Sequence, residues 1–193
     1  MNIIQIKQPN NSTMQLKLVG TGSLLMNRMS DDELQSIIDK DKSKKIDHKK
    51  RWKDKCHEEK GQYGFPAIAF KKSAIRAAKV NTTIAMTDAR QMFQVIPDEG
   101  DLVFIDSEPP VMRQDRVKGA GNTAAVSFRP QFKKWSCVLT IQYNADVVNP
   151  ESIASLFAHA GNSVGVGSWR IETDGVFGGF YVASIAQDES KVA

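Results

Sequence analysis

Two stretches of this chain, Met14 to Val19 (MQLKLV) and Trp135 to Tyr143 (WSCVLTIQY), alternate apolar and polar residues. A period of two sends one set of side chains into a core and the other away from it, so each stretch reads as a half-buried strand. Valine, isoleucine, threonine and aromatic residues add strand propensity to the second stretch. Strands dry on one face only need another layer on that face.

The rest of the chain supplies helices for it. Ser30 with Glu33 three residues on is a capping-box signal and predicts a helix through Ile38. Phe65-Pro66 enters a second helix near Phe70 to Val80, with Ile68, Ala74, Ile75 and Ala78 as its apolar face. Thr87 to Phe93 fits a short helix and Asp101 to Asp106 a strand. After the turn Glu108-Pro109-Pro110, Val111 to Val117 is a second extended piece, followed by a loop at Gly119 to Asn122. Asn149-Pro150-Glu151 starts a helix with proline in its first turn; it is expected to stop at Gly161, a glycine placed as a C-cap. Phe180 to Ile185 is the last strand. The order strand, helix, strand or strand pair, strand, helix, strand predicts an α+β, ferredoxin-like sandwich: an antiparallel sheet with two helices on one face. No repeat or second core is visible, so 1–193 reads as one domain. It carries a charged insertion over 30–65 and a β-rich insertion over 87–129.

Charge is unevenly spread. The net charge is +4 at neutral pH, and Asp39 to Lys60 alone holds ten Lys/Arg and six Asp/Glu, the whole surplus. Its apolar residues are chiefly Ile46 and Trp52, too few to fold alone. It is expected to be the least buried long segment, a protruding charged helix or a mobile arm, with an electrostatic role toward phosphates as the functional alternative. Cys56 and Cys137 are too few for a disulfide framework and read as reduced thiols. The opening MNIIQIKQPNNST lacks the apolar core of a signal peptide, and no run approaches the ~18–20 apolar residues of a membrane span. The expected setting is cytoplasmic, with no membrane partner.

Several chemistries are disfavoured by spacing. Gly161-Asn162-Ser163-Val164-Gly165-Val166-Gly167 invites a nucleotide-binding reading, but it closes a helix instead of opening one, and no Gly-Lys-Ser/Thr triplet completes a P-loop. His48, Cys56 and His57 lie in the charged insertion, with no Cys-x-x-Cys or His-Glu-x-x-His spacing, so neither metal nor cofactor is expected. His159 reads as a packed or capping histidine late in its helix. Ser163 lacks the glycine two residues before it that a nucleophile elbow requires. Asp31 and Asp32 are adjacent and point about 100° apart on a helix, which fits helix-start residues better than a shared acid–base site.

What remains is a surface for single-stranded nucleic acid, which is bound by cations tracking phosphates and rings stacking on bases. Tyr63, Lys71, Lys72, Arg76 and Lys79 combine a ring and cations around one helix. Trp169-Arg170 does the same beside the glycines Gly165 and Gly167, and Arg113, Arg116 and Lys118 lie along an exposed hairpin. The stretch Gly175 to Val182 loosely echoes an RNA-recognition RNP1 motif, although it falls on the last strand.

Three landmarks in order carry a family resemblance. Leu16-Lys17-Leu18-Val19-Gly20-Thr21-Gly22-Ser23-Leu24-Leu25-Met26 resembles the first strand and loop of RAMP-superfamily proteins, the RNA-binding backbone subunits of CRISPR effector complexes. Phe65 to Ala78, with Pro66, Ser73 and Arg76, is similar to their proline-led helix, the usual Pro-Gly-Ser being Pro66-Ala67-Ile68 here. Ala160 to Arg170 with Gly175 to Gly178 is similar to their glycine-rich loop before the final strand. The pattern resembles small bacteriophage proteins of this architecture most of all. The resemblance implies an RNA- or single-strand-binding fold that assembles side by side along the strand as a homo-oligomer or filament. Some members of the family cleave RNA with an aspartate after the first strand, for which Asp31 or Asp32 is the nearest counterpart. The first expectation is therefore a non-enzymatic protein of phage type that binds single-stranded RNA or DNA, with RNA favoured. Its alternatives are an inhibitor that mimics a subunit of a host defence complex, and a metal-dependent ribonuclease.

Overall fold

The computed structural model describes residues 8–40, 47–80, 84–118, 121 and 123–187. In chain order the elements are β1 (Asn11–Gly20), β2 (Leu24–Leu25), α1 (Asp31–Ile38), β3 (Glu58–Glu59), β4 (Gln62–Pro66), α2 (Ala67–Ala77), α3 (Met86–Met92) and β5 (Phe93–Ile96). Then come β6 (Leu102–Ser107), β7 (Val111–Lys118), β8 (Ala124–Phe132), β9 (Trp135–Asn144), α4 (Pro150–Ser163) and β10 (Phe180–Gln187).

The alternation read from the sequence sets the sheet. β1 buries Met14, Leu16 and Leu18, and β9 buries Trp135, Cys137, Leu139, Ile141 and Tyr143, while Gln15, Lys17 and Val138 stay outside. The two strands pair antiparallel with Leu16 opposite Leu139 and Leu18 opposite Cys137, so their buried side chains share one face. β10 pairs with the other edge of β1. The free edge of β9 is divided: Thr140 to Tyr143 pair with β5, and Trp135 to Cys137 pair with β6, beyond which lie β4 and β3. β10-β1-β9-β5, with α2 before β5 and α4 between β9 and β10, is the ferredoxin-like order.

Both helices lie on the dry face. α2 contributes Phe70, Ala74 and Ala77, and α4 contributes Ile153, Leu156, Phe157 and Ala160, to the same core as β1 and β9. α2 begins three residues earlier than the sequence suggests; of its expected apolar face Ala74 and Ala78 are buried and Ile75 packs partly on the core, but Ile68 is 51% exposed, and Ala67, Phe70 and Ala77 complete the buried stripe. The expected α1 capping box is present, with the Ser30 Oγ accepting from the Glu33 amide at 3.3 Å and the Glu33 carboxylate accepting from the Ser30 amide at 2.7 Å. Asn149 caps α4, its Oδ1 accepting from the Ser152 amide at 2.8 Å.

Other expectations are corrected. Gly161 does not end α4, which continues to Ser163; it is a buried contact, where a Cβ would stand 1.9 Å from the Phe180 carbonyl oxygen. His159 is exposed rather than packed. The division at 87–129 also differs. β5 and β6 belong to the main sheet, and only the β7–β8 hairpin stands apart, joined by β2 in a three-stranded sheet of its own. The charged insertion ends sooner than 65, since β4 pairs with β6. Among its described residues, 47–60 are mostly exposed but form a 3-10 turn (Trp52–Lys55), not a protruding helix. Trp52 is half-buried, Cys56 lies in the core, and Ile46 falls outside the described residues. Burial pushes both cysteine thiols up to about 12, so each stays a thiol at neutral pH. Among the described residues, no helix is long and apolar enough to cross a membrane.

Gly161→Ala should destabilise the protein by about 1–3 kcal/mol, because the methyl group meets backbone, not a movable side chain. Thermal or urea unfolding checks it; an unchanged transition would mean that α4 and β10 do not approach this closely.

Candidate nucleic-acid interface

The candidate site is built on the segment that follows α4. Its main chain is stitched to its surroundings. The Val166 amide donates to Gly178 O, the Ser168 amide to Leu25 O, the Gly178 amide to Ser23 O and the Thr21 amide to Gly179 O, each at 2.9 Å. Gly165 (φ +72°) turns its carbonyl onto the buried Ser73 hydroxyl, which donates to it at 2.9 Å. Gly167 (φ +86°) passes so near β2 that a Cβ would lie 2.6 Å from Leu25 O. Both glycines are therefore explained by packing of the loop itself.

This stitching brings distant cations together. Lys72 and Arg76, one helical turn apart on α2, face Arg170 of the loop across a groove of about 210 Å³. Ser73, Ala69 and residues 164–166 complete its lining. Glu172, in the 3-10 turn Ile171–Thr173, joins the two arginines. Its Oε2 accepts from Arg170 Nη2 at 2.9 Å, from Arg170 Nε at 3.1 Å and from Arg76 Nη1 at 2.5 Å. Partial burial pushes this carboxyl upward, but the hydrogen bonds and charges of Arg170 and Arg76 outweigh it and hold the group below its ordinary value. Three cations thus line the groove, and two of them share the Glu172 carboxylate, which lies beside the lining and not within it.

A second group of side chains sits where the loop meets the β7–β8 hairpin. Trp169 has a left-handed backbone (φ +51°), is 38% exposed, and has the Arg129 guanidinium 4.9 Å from its ring centroid. Arg113, the register partner of Arg129, lies 4.8 Å from the ring of buried Phe177. Arg113 Nε donates to the buried Asp115 at 2.8 Å. Arg129 is itself buried: Nε donates to Ser127 Oγ at 3.0 Å, and Nη1 has no hydrogen-bond partner among the described residues. Desolvation lowers the Arg129 pKa and the nearby Asp115 opposes it; the guanidinium remains charged.

Of the residues singled out from the sequence, Lys72, Arg76, Gly165 and Arg170 line one groove, and Trp169 and Arg113 meet the same loop. Lys71 and Lys79 are on or just beyond α2 but not among the lining residues. Arg116 and Lys118 are exposed along β7. Tyr63 is not beside the groove: its half-buried ring packs edge-to-face on Phe132, with centroids 5.2 Å apart. Phe177 and Phe180 of the RNP1-like stretch are buried, while Tyr181 is exposed. Asp31 and Asp32 sit in the first turn of α1, paired with Arg28 and Arg51 respectively. No grouping of His, Cys, Asp and Glu able to hold a metal occurs among the described residues. Sequence reasoning missed Glu172 and Arg129. Glu172 had only its spacing of two from Arg170 as a signal, and Arg129 lies on a strand that Pro130 conceals.

No family model and no curated protein matches the sequence. Solved structures do match. A chain of the type III-B Cmr-beta complex bound to cognate target RNA, seen by cryo-electron microscopy, aligns at 11% identity with a TM-score of 0.55. The alignment covers 92% of this chain and 61% of that one, so this chain spans about three fifths of its length. Cmr6 from Pyrococcus furiosus aligns over 92% of this chain and 100% of its own, also at 11% identity, with a TM-score of 0.39. The first likeness concerns the fold alone, and at that level it agrees with the α+β, ferredoxin-like architecture expected from the sequence.

The Glu172 geometry makes a stability prediction. Its folded-state pKa lies below the ordinary 4.5, so its contribution is fully present above pH 4.5 and is lost as pH falls through the depressed value. Glu172→Gln should therefore lower stability at neutral pH, and the gap from wild type should close in strong acid. Denaturant titrations across that range check it; a gap of constant size would refute the ion triad.

Proposed function

We propose that this chain is a non-enzymatic protein that binds single-stranded nucleic acid, RNA in the first instance, along the groove between α2 and the loop after α4. The observation that carries the reading is the convergence of Lys72, Arg76 and Arg170, from two distant segments, on one groove. Such cations hold phosphates without reading bases. Trp169 supplies an exposed ring whose stacking on Arg129 holds it in place, as base-stacking surfaces require. A bulky residue held at positive φ also fits a functional position better than a purely structural one. The fold likeness to a chain from an assembly bound to target RNA favours RNA over DNA. The arginine pairing of Asp31 and Asp32 favours a structural role for both over a nuclease role. Assembly of several copies along one strand belongs to this proposal through the resemblance to backbone subunits.

Binding to labelled homopolymers should vary little with base sequence and fall steeply as salt rises. Replacing Lys72 and Arg76 together by alanine should weaken binding to all sequences and flatten the salt slope by roughly one to two units, about one for each phosphate no longer held. Trp169→Ala should cost ~1–3 kcal/mol of binding free energy with little change in slope. Melting curves run beside the titrations separate loss of a stacking face from loss of the fold. If the wild type binds neither RNA nor DNA single strands at low salt, the groove is not a nucleic-acid site.

A further inference from the structure

We infer that the Glu172 carboxylate occupies the seat of one backbone phosphate and is displaced when a strand binds, so that the protein carries its own competitor for the groove. This rests on the groove being a nucleic-acid site, and it adds a regulatory element to that site. One oxygen, Oε2, takes three charge-assisted hydrogen bonds from two guanidinium groups, Arg170 and Arg76. The same donors would serve the two non-bridging oxygens of a phosphodiester, since arginine presents a planar fork that fits carboxylate and phosphate alike.

The carboxylate is bonded to both arginines but borders solvent. Its side chain is 29% exposed, and it rides on a three-residue 3-10 turn closed by Asp174 in the left-handed region (φ +59°). Displacement would move the charge into water without leaving it buried. Exposed pairs of this kind are weak, so exchanging one for a phosphate is feasible. Lys72 lines the groove outside the triad and gives an arriving strand a first contact that Glu172 does not neutralise. Binding then replaces an internal ion pair with an external one, and the groove acts as if it held fewer cations than it does.

Fluorescence anisotropy on wild type, Glu172→Gln and Glu172→Ala tests this. Labelled rU and dT oligomers of about 15 nucleotides serve as probes, between about 50 and 300 mM salt. Both variants should bind about three- to tenfold more tightly at low salt, with little change in salt slope, because the same phosphate reaches the two arginines in wild type once Glu172 has moved. Wild-type binding that both folded variants leave unchanged or weaken overturns the inference and makes Glu172 a buttress that positions the arginines. Binding absent from all three proteins overturns the groove reading itself, and this inference with it.

Discussion

The candidate site depends on backbone meeting backbone. From Gly161 to Gly179 the chain lies against the Phe180 carbonyl, β2 and the turn after β1, at separations that leave no room for a Cβ at several points. Main chain packed this closely must satisfy its amides and carbonyls, and here it does so by donating to and accepting from main chain on both sides. Trp169, Arg170, Glu172 and Phe177 all hang from this loop. Their placement is set by main-chain geometry, which side-chain rotation cannot loosen, and rigid elements hold a site more accurately than free loops do.

Electrostatics then separates two kinds of arginine. Arg129 is desolvated and has one nitrogen without an acceptor among the described residues, an arrangement tolerated because Trp169, Ser127 and the buried Asp115 surround it. Such a group rigidifies the hairpin–loop junction and is too enclosed to exchange partners. Arg76 and Arg170 are partly exposed and share a carboxylate. Pairs at this depth contribute modestly to stability and stay within reach of an incoming anion. The first arginine is suited to holding the ring, the other two to holding a ligand.

Much of the fold was legible because it rests on local signals. Period-two alternation located β1 and β9, the Ser30–Glu33 pair located α1, and Asn149-Pro150 located the start of α4. Gly161 misled because a glycine near a helix end has two meanings, cap or close contact, and only the neighbour, Phe180, decides. β5 carries too short an apolar run to read as a strand, and β6, legible as Asp101 to Asp106, falls within the segment read as an insertion, because pairing with β9 is a long-range choice. Lys72, Arg76 and Arg170 were legible as residue types, and their convergence followed from knowing that the helix and loop flank the same sheet. Glu172 was not legible, since its importance lies in an arginine 96 residues away.

Trp169 gives the last step. A tryptophan at φ +51° is strained, by ~1–3 kcal/mol for residues held in such regions, and survives only where its surroundings over-determine it. Its carbonyl accepts the Phe177 amide at 3.2 Å and its ring lies against Arg129, so backbone and side chain are each held separately. A core role would bury the ring; it is 38% exposed instead. The strain is therefore offset by contacts that keep an aromatic surface fixed and accessible next to Arg170. A ring fixed before a base arrives loses little freedom when stacked upon, and for a sequence-indifferent binder that saving counts toward every base it meets.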